Sequence, residues 1–194
     1  MNAAVNTSCL KCGCPFTMEA VPSADVCADP SLKEKVLSGE MFKWTCPSCG
    51  TVNLVKYPFM YHDPSQKLLL VLSDAAISAE SVPEGYVARR VTSVGDLVEK
   101  IKIADAGLDD VVVEMCKYIT RQEMQRDGLE LKFLKTEGAD NEMIFTYPEK
   151  GEMQMVSVGF NVYEDCRGIL SRHPSVSASG LATVDASWLN SLLG

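Results

Sequence analysis

Histidine is almost missing from this chain, with two in 194 residues, His62 and His173, neither inside a ligand-spaced motif. A hydrolytic metal site built on imidazole is therefore left without its donors. Basic residues are also scarce, 18 against 26 acidic, for a net charge of −8. That deficit argues against sequence-independent phosphate binding, which depends on Lys and Arg displacing counterions, and against anionic membranes for the same reason. No apolar stretch approaches the roughly 18 to 20 residues of a membrane span; the longest strongly apolar run is Leu68 to Leu72. Met1 to Ser8 carries neither a basic residue nor an apolar core, so no signal peptide is expected and a cytoplasmic setting is. Gly-x-Gly-x-x-Gly and Walker-type loops are absent, as is any Ser/His/Asp constellation that spacing can defend. What remains is an ordinary globular composition, 46% hydrophobic and 23% charged, with eight cysteines. In a reducing compartment that number points to metal binding or thiol chemistry rather than structural disulfides.

Charge divides the chain. Residues 1–72 hold six basic and six acidic residues, so the remaining twelve and twenty fall in 73–194. The reading is of two modules, 1–72 and 86–194, joined by a linker at 73–85 that is rich in Ser, Ala and Glu. In the first module, Asp29-Pro30 followed by Leu32, Val36 and Leu37 and closed by Ser38-Gly39 predicts a short capped helix. Met41–Thr45, Val52–Tyr57 and Lys67–Leu72 predict antiparallel strands. In the second, Ser93 with Asp96 forms a capping box before Val94, Leu97, Val98 and Ile101, predicting a helix near Val94–Ala104. A longer helix starts at Asp109-Asp110 and runs toward Gly128, followed by a meander through Leu129–Phe133, Met143–Tyr147 and Met153–Val158. Asn161 and Asp185 are the expected caps of two final helices, with a flexible connector at Ser175–Gly180 between them. The fold class is α+β: an antiparallel zinc-ribbon-like module with an inserted helix, then a small acidic helical and antiparallel-sheet module.

The strongest local signal is a repeated turn, Cys9-Leu-Lys-Cys12-Gly13 and Cys46-Pro-Ser-Cys49-Gly50. Two cysteines three positions apart on a tight turn bring both sulfurs to one side, and the glycine can take positive φ so that amides face the thiolates. Two such turns make a tetrahedral sulfur site, which predicts Zn2+ held by Cys9, Cys12, Cys46 and Cys49. Tetrathiolate iron, and two unrelated turns with reduced cysteines, are the competing readings. The 33 residues between Cys12 and Cys46 exceed the roughly 15 to 20 of a simple ribbon. The predicted helix fills the excess.

These paired turns, the segment Asp29 to Gly39, the run Phe42-Lys-Trp-Thr-Cys46-Pro-Ser-Cys49-Gly50 and the run Tyr57-Pro-Phe-Met-Tyr-His-Asp63 resemble the CpXC family over at least Ser8 to Leu72. Val94 to Lys117 is similar to the region that often follows in such proteins. Leu10 departs from the pattern, standing where the second turn has Pro47. The resemblance implies the fold and the cysteine quartet; the family's function being unassigned, it implies no reaction.

Four protein thiolates close a zinc shell, so the expected site is structural and catalytic residues are not assigned. His62, flanked by Asp63, is read as a hydrogen-bonded strand-end histidine before a general acid or base, and His173 as a solvated helix terminus. Cys14 is expected as a thiol packed beside the site, and Cys27, Cys116 and Cys166 as buried small hydrophobes. The leading functional expectation is a zinc-stabilised protein-interaction module, with Trp44, Tyr57, Phe59 and Tyr61 as candidate anchors or core residues. The alternatives are nucleic-acid binding through Lys11, Lys43, Lys56 and Lys67, and a thiol/zinc redox switch.

Overall fold

Residues 3–75 and 82–193 are described by a computed structural model; residues 76–81 of the expected linker lie outside them. The chain divides into two compact units, Met1–Val98 and Glu99–Gly194. Among the described residues, no helix is long and apolar enough to cross a membrane.

The first unit begins with a hairpin, β1 (Ala3–Ser8) antiparallel to β2 (Pro15–Ala20). β3 (Ser23–Asp25) leads to α1 (Ser31–Leu37), where Asp29 Oδ1 accepts the Ser31 amide at 3.0 Å, and Val36 is the buried residue of the helix. A 3-10 turn over Glu40–Phe42 delivers a second hairpin, β4 (Lys43–Thr45) antiparallel to β5 (Val52–Leu54). β6 (Phe59–Asp63), β7 (Leu68–Leu72) and β8 (Val87–Val91) complete a four-stranded sheet in the order β3-β6-β7-β8. β6 and β7 are antiparallel, while β3 joins β6, and β8 joins β7, in parallel. β7 is apolar on both faces, as a strand covered from both sides must be, and Leu70 and Leu72 are fully buried. Phe42, Tyr57 and Phe59 pack ring against ring with centroids 5.1 to 6.2 Å apart.

The antiparallel expectation for residues 1–72 therefore holds for both hairpins and for β6 with β7, and gives way to parallel pairing at β3; β8, beyond that module, adds a second parallel pair. Met41 and Phe42 belong to the 3-10 turn rather than a strand, and the strand expected over Val52–Tyr57 stops at Leu54. The β1–β2 hairpin carries little apolar signal, because its outer positions are Ala, Asn, Ser, Thr and Glu.

α2 (Val94–Asp105) opens on the predicted capping box, with the Asp96 amide donating to Ser93 Oγ at 3.0 Å and Ser93 Oγ donating to Asp96 Oδ2 at 2.6 Å. In the second unit α3 (Asp110–Glu123) is capped by Asp109, whose carboxylate accepts the Val111 amide at 2.8 Å. A three-stranded antiparallel sheet follows, β9 (Lys132–Glu137), β10 (Glu142–Glu149) and β11 (Glu152–Val158), in the order β11-β10-β9. α4 (Phe160–Arg172) starts at Gly159, so Asn161 lies inside the helix instead of capping it. α5 (Ala186–Leu193) is capped as predicted, Asp185 accepting the Trp188 amide at 2.8 Å. Val113, Cys116, Phe133, Phe145, Tyr163, Cys166 and Leu189 are central members of one apolar cluster in this unit.

Against that core lies a set of buried charges. Lys117 Nζ sits 3.1 Å from Glu99 Oε1 and 2.7 Å from Glu114 Oε2, and Arg121 reaches Glu114 Oε1 at 3.2 Å. Glu99 also accepts the backbone amide of Phe133 at 2.6 Å, and Lys100 pairs with Asp110 at 2.7 Å. Every carboxylate of this set is thus met by a cation, which is the condition for tolerating charge away from water.

Candidate metal centre

Both repeated turns sit at hairpin tips, and their backbones are bonded alike. At the first, between β1 and β2, the Cys9 amide donates to the Cys14 carbonyl at 2.9 Å and the Gly13 amide to the Cys9 carbonyl at 2.8 Å. At the second, between β4 and β5, Cys46 donates to Thr51 O and Gly50 to Cys46 O, both at 2.9 Å. Gly13 and Gly50 take φ of 72° and 70°, the left-handed conformation their type predicts. The two tips meet. Cys9 Sγ lies 3.6 Å from Cys49 Sγ and Cys12 Sγ lies 3.5 Å from Cys46 Sγ, so each contact crosses from one turn to the other.

All four sulfurs lie within 4.8 Å of one another, a group that can hold a metal ion. A tetrahedron of sulfurs about 2.3 Å from a central ion has edges of about 3.8 Å, close to the two cross-turn contacts. Cys9 and Cys46 are buried, Cys49 is half-buried and Cys12 exposed.

The crowding of the sulfurs has opposite effects on two of the thiols. Burial pushes the Cys9 thiol up, but the amides of Cys12 and Lys11 and the Asn53 side chain outweigh it and bring it down to about 6. At Cys12 the Cys14 amide pulls downward, yet the adjacent sulfurs of Cys49 and Cys46 prevail and push it up to about 12. The cluster thus favours ionising Cys9 and disfavours ionising Cys12, a conflict that a cation at the centre would remove.

Asn53, on β5, is the residue the sequence did not reveal. Fully packed between the turns, it accepts the Leu10 amide at 3.0 Å through Oδ1, and Nδ2 donates to Thr51 O at 3.0 Å and Cys9 Sγ at 3.6 Å. A lone polar residue inside the strand-like run Val52–Leu54 was the available signal. Thr51 Oγ1 lies 3.3 Å from Cys49 Sγ. Leu10 projects from the first turn with 89% of its surface exposed, its amide held by Asn53.

Cys14 sits beside the quartet, accepting from Ser48 Oγ of the opposite turn at 3.2 Å. Cys116 and Cys166 are buried as expected; Cys27 is exposed, because it follows β3 on a turn whose amides are bound by Asp25. Trp44, Tyr57, Phe59 and Tyr61 are all core residues, Trp44 stacked on Phe16 at 4.3 Å and Tyr57 donating to Met41 O at 2.9 Å. His62 is hydrogen-bonded near the end of β6, but its partners are Asp25 Oδ2 at 3.0 Å and the hydroxyl of Tyr86 at 3.4 Å rather than Asp63, and the Tyr86 ring stacks beside it. That contact helps hold the Asp25 carboxyl below its usual range, after the larger effect of the Ala28 amide. Asp63 is buried and accepts from the Ser65 and Gln66 amides. His173 lies exposed at the end of α4.

A family model described as CpXC protein matches residues 7–117, including both turns. No curated protein and no solved structure matches the chain.

Proposed function

The chain belongs to the CpXC family, whose molecular function is unassigned, and from that premise we propose that Cys9, Cys12, Cys46 and Cys49 hold one Zn2+ in a structural site that shapes a protein-interaction module. The carrying observation is the pair of cross-turn sulfur contacts at 3.5 and 3.6 Å. Four soft thiolates in a tetrahedral arrangement suit zinc, which has no angular preference and no redox chemistry of its own. With four protein donors no position is open for water, so the ion ties the tips together instead of activating a substrate. Binding of this kind contributes about 10 kcal/mol or more to folding a small module. Elemental analysis with a count of reactive thiols tests the reading: one zinc per chain and four protected thiols support it, and iron or no metal overturns it.

The interaction role is supported by exposed aliphatic side chains on the two cysteine-bearing hairpins. Besides Leu10, Val52 and Leu54 point outward from β5 with more than half of their surface exposed, at 59% and 55%. The lysines that would serve nucleic acid are partly engaged: Lys43 donates to Ser38 O at 2.6 Å, and Lys56 pairs with Asp74 at 2.7 Å. Binding to any oligonucleotide that weakens steeply with added salt would favour that reading over protein contacts. Exposure of Cys12 supports a redox reading, in which peroxide oxidises the thiols to disulfides, is itself reduced to water, and frees the metal. Retention of metal through mild peroxide removes it.

A further inference from the structure

We propose that β11 is a pairing edge for a second copy of this chain, joined antiparallel about Met155. The sheet has two outer strands, and they are treated differently. β9 carries Lys132 and Lys135, and its pairing with β10 is broken by a register shift at Ile144/Phe145. Charged side chains and irregularities of that kind are how proteins keep a strand edge from pairing with another chain. β11 has neither. It runs seven residues in unbroken register from Glu152 to Val158, holds a single charged residue, Glu152, at its end, and contains no lysine or proline.

The hairpin fixes which backbone groups are available. Lys150 and Gly151 form a two-residue turn with φ of 51° and 83°, so the flanking pair Glu149 and Glu152 exchanges both hydrogen bonds. Alternation along the ladder then directs Gln154, Val156 and Val158 inward to β10, and turns the N–H and C=O groups of Met153, Met155 and Ser157 to the open edge. Side chains of the same three residues are exposed, Met153 by 63% and Met155 by 67%.

The sequence of β11 is self-complementary in the one register that pairs all seven residues. Met155 faces Met155 of the other copy, Met153 faces Ser157, and Glu152 faces Val158, so no carboxylate meets a carboxylate. The outward backbone groups of Met153, Met155 and Ser157 meet those of Ser157, Met155 and Met153, which is the isologous pattern of a two-fold dimer. The product is a continuous six-stranded sheet with the methionines of both copies on one face, where their flexible thioethers adapt to one another. A single strand pair is a small interface, so the dimer forms with rising concentration and parts on dilution.

Sedimentation velocity of the full-length, metal-loaded chain over a concentration series tests this. The expected result is a mass that doubles at high concentration, is retained in Met155→Thr, and stays at one chain in Met155→Lys, which sets two like charges against each other on the axis. Amide exchange on the unaltered protein gives an independent reading: Met155 and Ser157 should gain protection as concentration rises and lose it on dilution. A mass of one chain at every concentration, a dimer that Met155→Lys leaves intact, or a dimer whose Met155 and Ser157 amides stay unprotected overturns the proposal.

Discussion

Replacing Asn53 with alanine removes three hydrogen bonds at once, to Leu10 of the first turn, to Thr51 of its own, and to the Cys9 sulfur. Outer partners of this kind typically govern metal affinity by about 10- to 100-fold. Asn53→Ala is therefore expected to weaken zinc binding by that factor in competition with a chromogenic chelator, while the stoichiometry stays at one. Gly50 gives a second prediction at this scale. A Cβ there would meet nothing within 4 Å, so the cost of Gly50→Ala lies in the positive φ alone and should be about 1 to 2 kcal/mol in chemical denaturation, with Gly50→Asn costing less. The quartet itself was legible because its chemistry is local: two cysteines and a glycine at fixed spacing specify a turn without reference to the rest of the chain. Asn53 was not, since its role depends on which turn folds against it. His62 was assigned Asp63 as its neighbour in sequence, whereas the parallel register of β3 with β6 supplies Asp25 from 37 positions away.

Among the elements, helices with side-chain caps were the most readable. Ser93 with Asp96 and Asp185 cap where they were predicted, and Asp109 caps the helix expected to start there, because a cap is set by bonds spanning two or three residues. Strands such as β3 and β8 escaped notice, being short and stabilised by partners distant in the sequence. The buried ions of α2 and α3 likewise have no signature in periodicity alone. Burial by itself pushes the Lys117 ammonium down, but the carboxylates of Glu99 and Glu114 outweigh it and hold the group above its ordinary value. A raised folded value means its stabilisation is fully present below the unfolded lysine value of about 10.4 and is lost as pH climbs through the higher one. Urea unfolding of the second unit should lack this group's alkaline fall until above about pH 10. Lys117→Met should abolish it and cost about 3 to 5 kcal/mol at neutral pH, because buried Glu99 loses its nearest cation and buried Glu114 keeps Arg121 but loses its closer one.

For the molecule as a whole, support is uneven. The sheet β3-β6-β7-β8 and the second unit bury apolar residues such as Phe59, Leu70, Phe133 and Phe145, while the two hairpins that carry the cysteines alternate exposed with half-buried or buried positions along β2, β4 and β5. A strong chelator is therefore expected to raise amide exchange in β1, β2, β4 and β5, leaving β9 to β11 protected; uniform loss of protection across both units would contradict this. The alternating parallel and antiparallel order of β3-β6-β7-β8 has a kinetic corollary. Only β6 and β7 are neighbours joined by a tight connection; β3 can take its place only after the intervening chain, α1 and the second cysteine turn included, has looped back. Linking the two tips early would shorten the search for that long-range partner, so an ion bound there would act as a folding nucleus, and refolding of the first unit should slow when metal is withheld.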